Sequence, residues 1–276
     1  MGGFILNFTP NGMVPTREMT PHVPLTPEEI VRDVDDCVRL GANMVHLHAR
    51  DAEGRPTYDK EIYARIIGGV RERHPELLIC VSTSGRLHNE FWQRAQVLEL
   101  EGDVKPDFAS LTLSSLNFAR AASINEPAMI QDLARRMLAR GIRPELECFD
   151  LGMVNVAQYL IDKQLVPEPY YVNLIVGNLA GAQADLISVG ALRAALPAGA
   201  YWSVGGIGHS QLVANTLGLA AGGGVRVGLE DNLWLNEGRT TLASNAALVE
   251  RVVRIGGLLG REPYSPAEVR ALLTNP

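Results

Sequence analysis

Residues 26–48 read TPEEIVRDVDDCVRLGANMVHLH, and one helix and one strand can be read from them. Thr26 is an N-cap, Pro27 suits the first helical position, and Glu29 completes a capping box. The apolar spacing carries the helix to Leu40, where Gly41 supplies a left-handed stop. Met44 to His48 then reads as a strand. Upstream, Phe4 to Phe8 is a strand; downstream, Asp59 to Arg73 is a helix. The unit repeats along the chain. Strands are expected at Leu77–Val81, Phe108–Leu113, Pro144–Cys148, Tyr171–Val176, Ala200–Val204 and Val225–Val227. Helices are expected at Glu90–Leu100, Glu126–Arg140, Val154–Lys163, Leu186–Ala195, Ser210–Ala221 and Asn245–Leu259. Ser265-Pro266-Ala267-Glu268 caps a short extra helix at the C-terminus.

Eight strand–helix units at ~30-residue spacing predict an α/β protein with a parallel sheet, closed as a (β/α)8 TIM barrel. An open doubly wound sheet is the alternative. No linker or composition shift divides the chain, so residues 1–276 are read as a single domain. Of its 276 residues, 46% are hydrophobic and 20% charged, enough to build a core and too apolar for disorder. The net charge of −6 and the lack of a basic patch argue against nucleic acid and acidic membranes as partners. No run of ~18 apolar residues offers a membrane span. Cys37, Cys80 and Cys148 have no C-x-x-C spacing, which suits buried thiols in a reducing compartment. Together with an N-terminus that lacks a secretory pattern, this places the chain in the cytoplasm as an expectation.

Barrel chemistry sits where strands run into the following loops. His46 and His48, at i and i+2 of a strand, point the same way into the mouth. Two imidazoles and one carboxylate make a catalytic zinc set with an open position. The plain alternative is a strand-capping histidine and one bonded to a backbone carbonyl. The carboxylate could be Glu230 or Asp231. Arg226 and Glu230 are an even number apart, so a regular strand would face them together and turn Asp231 elsewhere. Glu230 is therefore preferred as ligand and Asp231 as base, although either acid could simply pair with Arg226. His22, His74 and His88 read as surface residues, and His209 as one near an anion. Gly206 and Gly208, in Gly205-Gly206-Ile207-Gly208, could cradle phosphate with backbone N–H groups or merely let a strand and helix approach. Arg86 could hold a carboxylate; for Arg50, a surface salt bridge beside Asp51 is the more ordinary reading.

Taken in order, His46-Leu47-His48, Ser82-Thr83, Leu116-Asn117-Phe118, Glu145-Leu146-Glu147, Gly152-Met153-Val154, Ser203-Val204-Gly205-Gly206-Ile207-Gly208, Arg226-Val227-Gly228-Leu229-Glu230-Asp231-Asn232 and Ser244-Asn245-Ala246 resemble the β-keto acid cleavage enzymes, over essentially the whole chain. The resemblance implies a zinc-dependent barrel, usually a homotetramer, that converts a β-keto acid and acetyl-CoA into acetoacetate and a new acyl-CoA. It implies one Zn2+ per chain on His46, His48 and Glu230. Asp231, assisted by Arg226 and Ser82, would be the proton-transfer set. Ser110 would help hold the keto acid's carboxylate, and Glu147 falls at a substrate-pocket position. Ser84, Arg86 and Thr112 complete the candidate substrate contacts, with Gly206 and Gly208 for the cofactor.

Two departures bear on the substrate. Val14 stands where the aminohexanoate-cleaving members carry a glutamate for the substrate ammonium. Ser84 and Arg86 replace a glycine and a small apolar residue. A neutral or anionic distal end is expected, with Arg86 serving the latter, and a quaternary ammonium served by Glu147 and Asp150 as the alternative. Two other classes compete with this reading. An amidohydrolase-type metal hydrolase would want further histidines after strands five and six. A non-catalytic ligand-binding barrel would hold no metal.

Overall fold

The structure, a computed structural model, describes residues 2–275. Eight parallel strands close a barrel in chain order: β1 (Leu6–Phe8), β2 (Met44–Leu47), β3 (Leu78–Val81), β4 (Phe108–Thr112), β5 (Arg143–Cys148), β6 (Tyr171–Val176), β7 (Tyr201–Gly206) and β8 (Gly224–Val227). β8 returns to β1 with Asn7 opposite Arg226, and β1 meets β2 with Asn7 opposite Met44. Around them lie α1 (Pro27–Arg39), α2 (Lys60–Arg73), α3 (Phe91–Arg94), α4 (Pro127–Ala139), α5 (Leu151–Asp162), α6 (Leu186–Ala195), α7 (Gln211–Ala220) and α8 (Asn245–Leu258), followed by α9 (Pro266–Thr274). The TIM barrel is present and the doubly wound alternative is not.

Local chemistry explains the helix ends. Thr26 and Glu29 form the expected capping box on α1, and Ser265 and Glu268 form another on α9. α5 begins three residues before the expected Val154, because Asp150 accepts the amide of Met153 and caps it there. The expected helix Glu90–Leu100 breaks after Arg94 into a 3-10 turn, Gln96–Glu99. Arg94 is buried and donates to Thr83 O and Asn125 Oδ1, while Gln96 accepts the first amide of α2. Those anchors override helical periodicity. Two small hairpins that periodicity could not reveal, Ala49–Arg50 with Pro56–Thr57 and Leu116–Asn117 with Ala122–Ser123, rise over the mouth.

The pleat sorts the barrel interior into layers. At the floor, Ile5, Met44, Leu78, Phe108 and Tyr171 pack together, closed from below by Val269 and Leu273 of α9. A larger apolar layer lies between the strands' outer faces and the helices. Above the floor the interior turns polar: Asn7, His46, Glu145, Asn173, Ser203 and Arg226 are all buried. Buried polar groups need partners, and here they find one another.

Candidate active site

Glu145, with no exposure, is the hub of that polar layer. It accepts hydrogen bonds from Asn7 Nδ2 and, at 2.6 Å, Asn173 Nδ2, and its Oε2 lies 2.6 Å from His46 Nδ1. A carboxylate only accepts, so Nδ1 carries a proton and Nε2 is the ring nitrogen that faces the mouth. There His46 Nε2 lies 3.2 Å from His48 Nε2, which is 3.2 Å from Glu230 Oε1. The ligand atoms of His46, His48 and Glu230 all lie within 4.8 Å of one another. Glu230 Oε2 is buried with no hydrogen-bond partner. Two facing imidazole nitrogens and an orphaned carboxylate oxygen suit a divalent cation with nitrogen and oxygen ligands.

Without a cation the neighbouring acids hold a second proton on His46, and a metal ion would displace it from Nε2. Burial disfavours the charged form of His46, but Glu145 and Glu230 outweigh it and push the imidazole up to about 9. Burial dominates at His48 and pulls it down to about 4. At Glu230, burial is overcome by the Arg226 guanidinium and the two histidines, which hold the carboxylate well below its usual range. A second group of donors, His46, Cys80 and Glu145, is less apt. Burial keeps the Cys80 thiol protonated, and it donates to Glu145 Oε2.

Arg226 gathers the acids. Its Nε donates to Asp231 Oδ2 at 2.9 Å, its Nη2 to Glu230 Oε1 at 2.7 Å, and its Nη1 reaches Glu147 Oε1 at 3.4 Å. The expectation that Asp231 turns away from Arg226 is therefore corrected. Regular strand ends at Val227, and the chain turns at Gly228, where a Cβ would lie 2.0 Å from Thr9 O. Asp231 N then bonds Gly228 O, and strand parity no longer applies. Burial pushes the carboxyls of both Asp231 and Glu147 up, against the pull of Arg226.

The remaining candidates line the same mouth, a cavity of about 670 Å³ bounded by His46, His48, Ser82, Ser84, Arg86, Ser110, Thr112, Glu147, Arg226, Glu230 and Asp231. Ser82 Oγ accepts the amide of Ser84, Ser110 Oγ accepts that of Thr83, and Thr112 Oγ1 donates to Glu147 at 2.7 Å. The glycine loop is different. Ile207 N donates to Val176 O and Gly208 N to Asp231 O, and a Cβ on Gly206 would meet Ser210 O at 2.6 Å. Gly206 seats α7 against β7, and Gly208 lines the cavity with its amide given to Asp231 O, so the expected phosphate cradle lacks that N–H. Arg50 also departs from its expected salt bridge. It is buried and donates to the carbonyls of Gly12, Pro15 and Gly54, while Asp51 pairs with Arg55. His22 and His209 are exposed, the latter at the pocket rim. His74 pairs with Asp35, and His88 packs edge-on against Tyr58, so neither is a free surface residue. Asp150 caps α5 instead of lining the pocket.

The most important residue beyond the candidates is Glu145. It shares an inward face with Glu147 at i+2, and that spacing was the available signal. The positions where a hydrolase would need histidines after strands five and six hold Glu147 and Asn173 at the corresponding strands. Residues 4–274 match the family described as beta-keto acid cleavage enzyme. The chain belongs to the beta-keto acid cleavage enzyme family. Among the family's proteins, the 3-keto-5-aminohexanoate cleavage enzyme of Fusobacterium nucleatum subsp. nucleatum is 35% identical over 261 residues, 94% of this chain and 93% of that protein. The 3-oxoadipate:acetyl-CoA acetyltransferase of Cupriavidus necator is 33% identical over 276 residues, 99% of this chain and 95% of that protein. The apo structure of ObcA superposes with a TM-score of 0.80 at 24% identity, covering 92% of this chain and 65% of that one, which supports the fold. No helix among the described residues is long and apolar enough to cross a membrane.

Proposed function

We propose that this family member exchanges acyl groups between a β-keto acid and acetyl-CoA: R–CO–CH2–COO− and CH3–CO–SCoA give CH3–CO–CH2–COO− and R–CO–SCoA. The carbon between ketone and carboxylate loses its bond to the R–CO group and gains one to acetyl. One observation carries the reading: His46, His48 and Glu230 converge at the base of a cavity whose next carboxylate, Asp231, is held on Arg226. The two relatives' names support it, since both describe cleavage or acetyl-CoA transfer of a 3-keto acid.

His46, His48 and Glu230 would hold one Zn2+ per chain. When bound, the ion polarises the keto oxygen as a Lewis acid. Asp231 takes the proton from the carbon between ketone and carboxylate and later returns it. Arg226 positions that carboxylate, burial raises its affinity for the proton, and Ser82 lines the same pocket to assist the transfer. Ser110 binds the keto acid's carboxylate, and Thr112 holds Glu147 against the pocket wall. The apolar rim of Met13, Val14, Leu179 and Trp234 keeps water from the reacting carbon. A homotetramer would cover Leu186 and Ile187 at the start of α6, which are 77% and 85% exposed. Three free, buried cysteines suit the cytoplasm.

The test is to supply β-keto acids of several side chains with acetyl-CoA, before and after treatment with a chelator. Acetoacetate and the matching acyl-CoA should appear together and should be lost with the metal. Absence of both products across the panel with zinc present overturns the reading. Amide hydrolysis without CoA would replace it with the hydrolase, and metal-free protein that binds ligand equally well after His46→Ala would replace it with a binding barrel.

A further inference from the structure

The acids of the mouth are all engaged, and a half-buried cation there is not. Glu230 and Asp231 are bound by Arg226, and Glu147 by Arg226 and Thr112. Arg86, on the loop after β3, makes no side-chain hydrogen bond or ion pair among the described residues, and its Nε is shielded from solvent without an acceptor. Its guanidinium lies flat over Phe118, 3.6 Å from the ring centroid. Both residues line the cavity, together with Ser84, whose hydroxyl accepts the Arg86 amide at 3.3 Å.

The arrangement has a physical cost that a ligand would remove. A half-buried guanidinium has lost part of its hydration, and only an acceptor pair in its plane replaces that. Stacking on Phe118 fixes the plane and leaves the donor edges free, which reduces the ordering needed on binding. Val14, Met19 and Leu179 also line the cavity, and none of their side chains can accept those donors. A substrate ammonium would find no unengaged carboxylate among the pocket-lining residues, because Asp150 caps α5 and Glu147 is already bonded.

We propose that Arg86, stacked on Phe118, is the specificity-determining residue of this pocket and receives a second carboxylate at the distal end of the β-keto acid. The substrate class is then the β-keto dicarboxylic acids. Ser84 is a positioning residue that fixes the loop through the Arg86 amide. This inference rests on the acyl-exchange reading for the reaction and adds the identity of the acyl side chain.

The experiment uses wild-type enzyme with zinc, acetyl-CoA and three β-keto acids of matched length: one ending in carboxylate, one in methyl, one in trimethylammonium. Wild-type kcat/KM should favour the dicarboxylate by about 10²–10³-fold over the methyl acid, the span expected where a built polar site loses its partner. Arg86→Met should collapse that ratio to within about threefold, and Arg86→Lys should restore part of it, because an ammonium keeps the charge and loses the planar fork. Preference for the methyl or cationic acid by the wild type, which depends on no variant's folding, overturns the inference and leaves the acyl exchange standing. A uniform loss across all three acids in Arg86→Met, with a raised KM for acetyl-CoA, also overturns it by assigning Arg86 to CoA. Silence on all three acids overturns both readings together.

Discussion

Glu145 Oε2 stands 2.6 Å from Nδ1 of His46, and both side chains are buried at the centre of the barrel. The pair fixes the imidazole's tautomer and its orientation from below, leaving Nε2 for whatever lies above. Asn7 and Asn173 both donate to the other oxygen, Oε1, so the placement of the carboxylate is set by strands β1, β5 and β6 together.

Replacing Glu145 should therefore act on metal affinity. Partners of this kind contribute about 10–100-fold to metal binding. Glu145→Gln, which keeps the shape and loses the charge, should weaken zinc by that range in a competition titration with a chromophoric chelator. Unaltered affinity in a folded variant would show that the neighbouring strands alone orient His46.

Asp231 and Glu230 share Arg226 but should separate functionally. Asp231→Asn keeps the ion pair between Arg226 and Glu230 and removes the proposed base, so kcat should fall by about 10²–10⁴-fold with zinc content intact. Glu230→Gln should lower zinc content and activity together. Elemental analysis alongside steady-state rates distinguishes the two, and a zinc-depleted Asp231→Asn protein would reverse the assignment.

How much of this was readable beforehand follows from the length scale of each signal. Capping boxes at Thr26 and Ser265 and the two-residue spacing of His46 and His48 are local, and they sit as expected. Glu145 was within reach by the same two-residue rule from Glu147, but the network that gives it a role joins strands over a hundred residues apart in sequence. The acids beyond Val227 escaped the parity rule because the backbone stops being a strand at the point where the rule was applied. Arg50 shows the same limit. Beside Asp51 it reads as a surface pair, yet Gly12, Pro15 and Gly54 carbonyls draw it inward, and no pattern in the sequence marks a bare carbonyl as a partner.

That clasp has a measurable consequence. Arg50 ties the loop after β1 to the first hairpin, and its loss would leave several shielded carbonyls without a donor. Arg50→Met should lower unfolding stability by about 3 kcal/mol, the range for charge-assisted bonds broken on one side. Denaturant midpoints at constant slope test this. A change within about 0.5 kcal/mol would mean that water replaces the guanidinium at little cost.

A pH effect should come from outside the pocket. Asp33 on α1 accepts a hydrogen bond from Asn245 Nδ2 at 2.5 Å, and Asn245 also binds Pro10 O and Leu229 N beside the mouth. Burial pushes Asp33 up to about 7 from the usual 3.8; Asn245 lowers it and Asp36 raises it. The folded state thus holds this proton more tightly than the unfolded chain does. Its contribution to stability is complete below about pH 4 and is lost as pH rises through about 7, with a swing on the order of 4 kcal/mol at most. Asp33→Asn carries no such proton. Its melting temperature should match the wild type near about pH 4.5, exceed it increasingly through neutrality and level off above about pH 8. The Glu230 carboxylate, held low by Arg226, changes both proteins alike and cancels in the difference. A constant offset between the two proteins across that range would show that Asp33 ionises in the folded state as it does in the unfolded one.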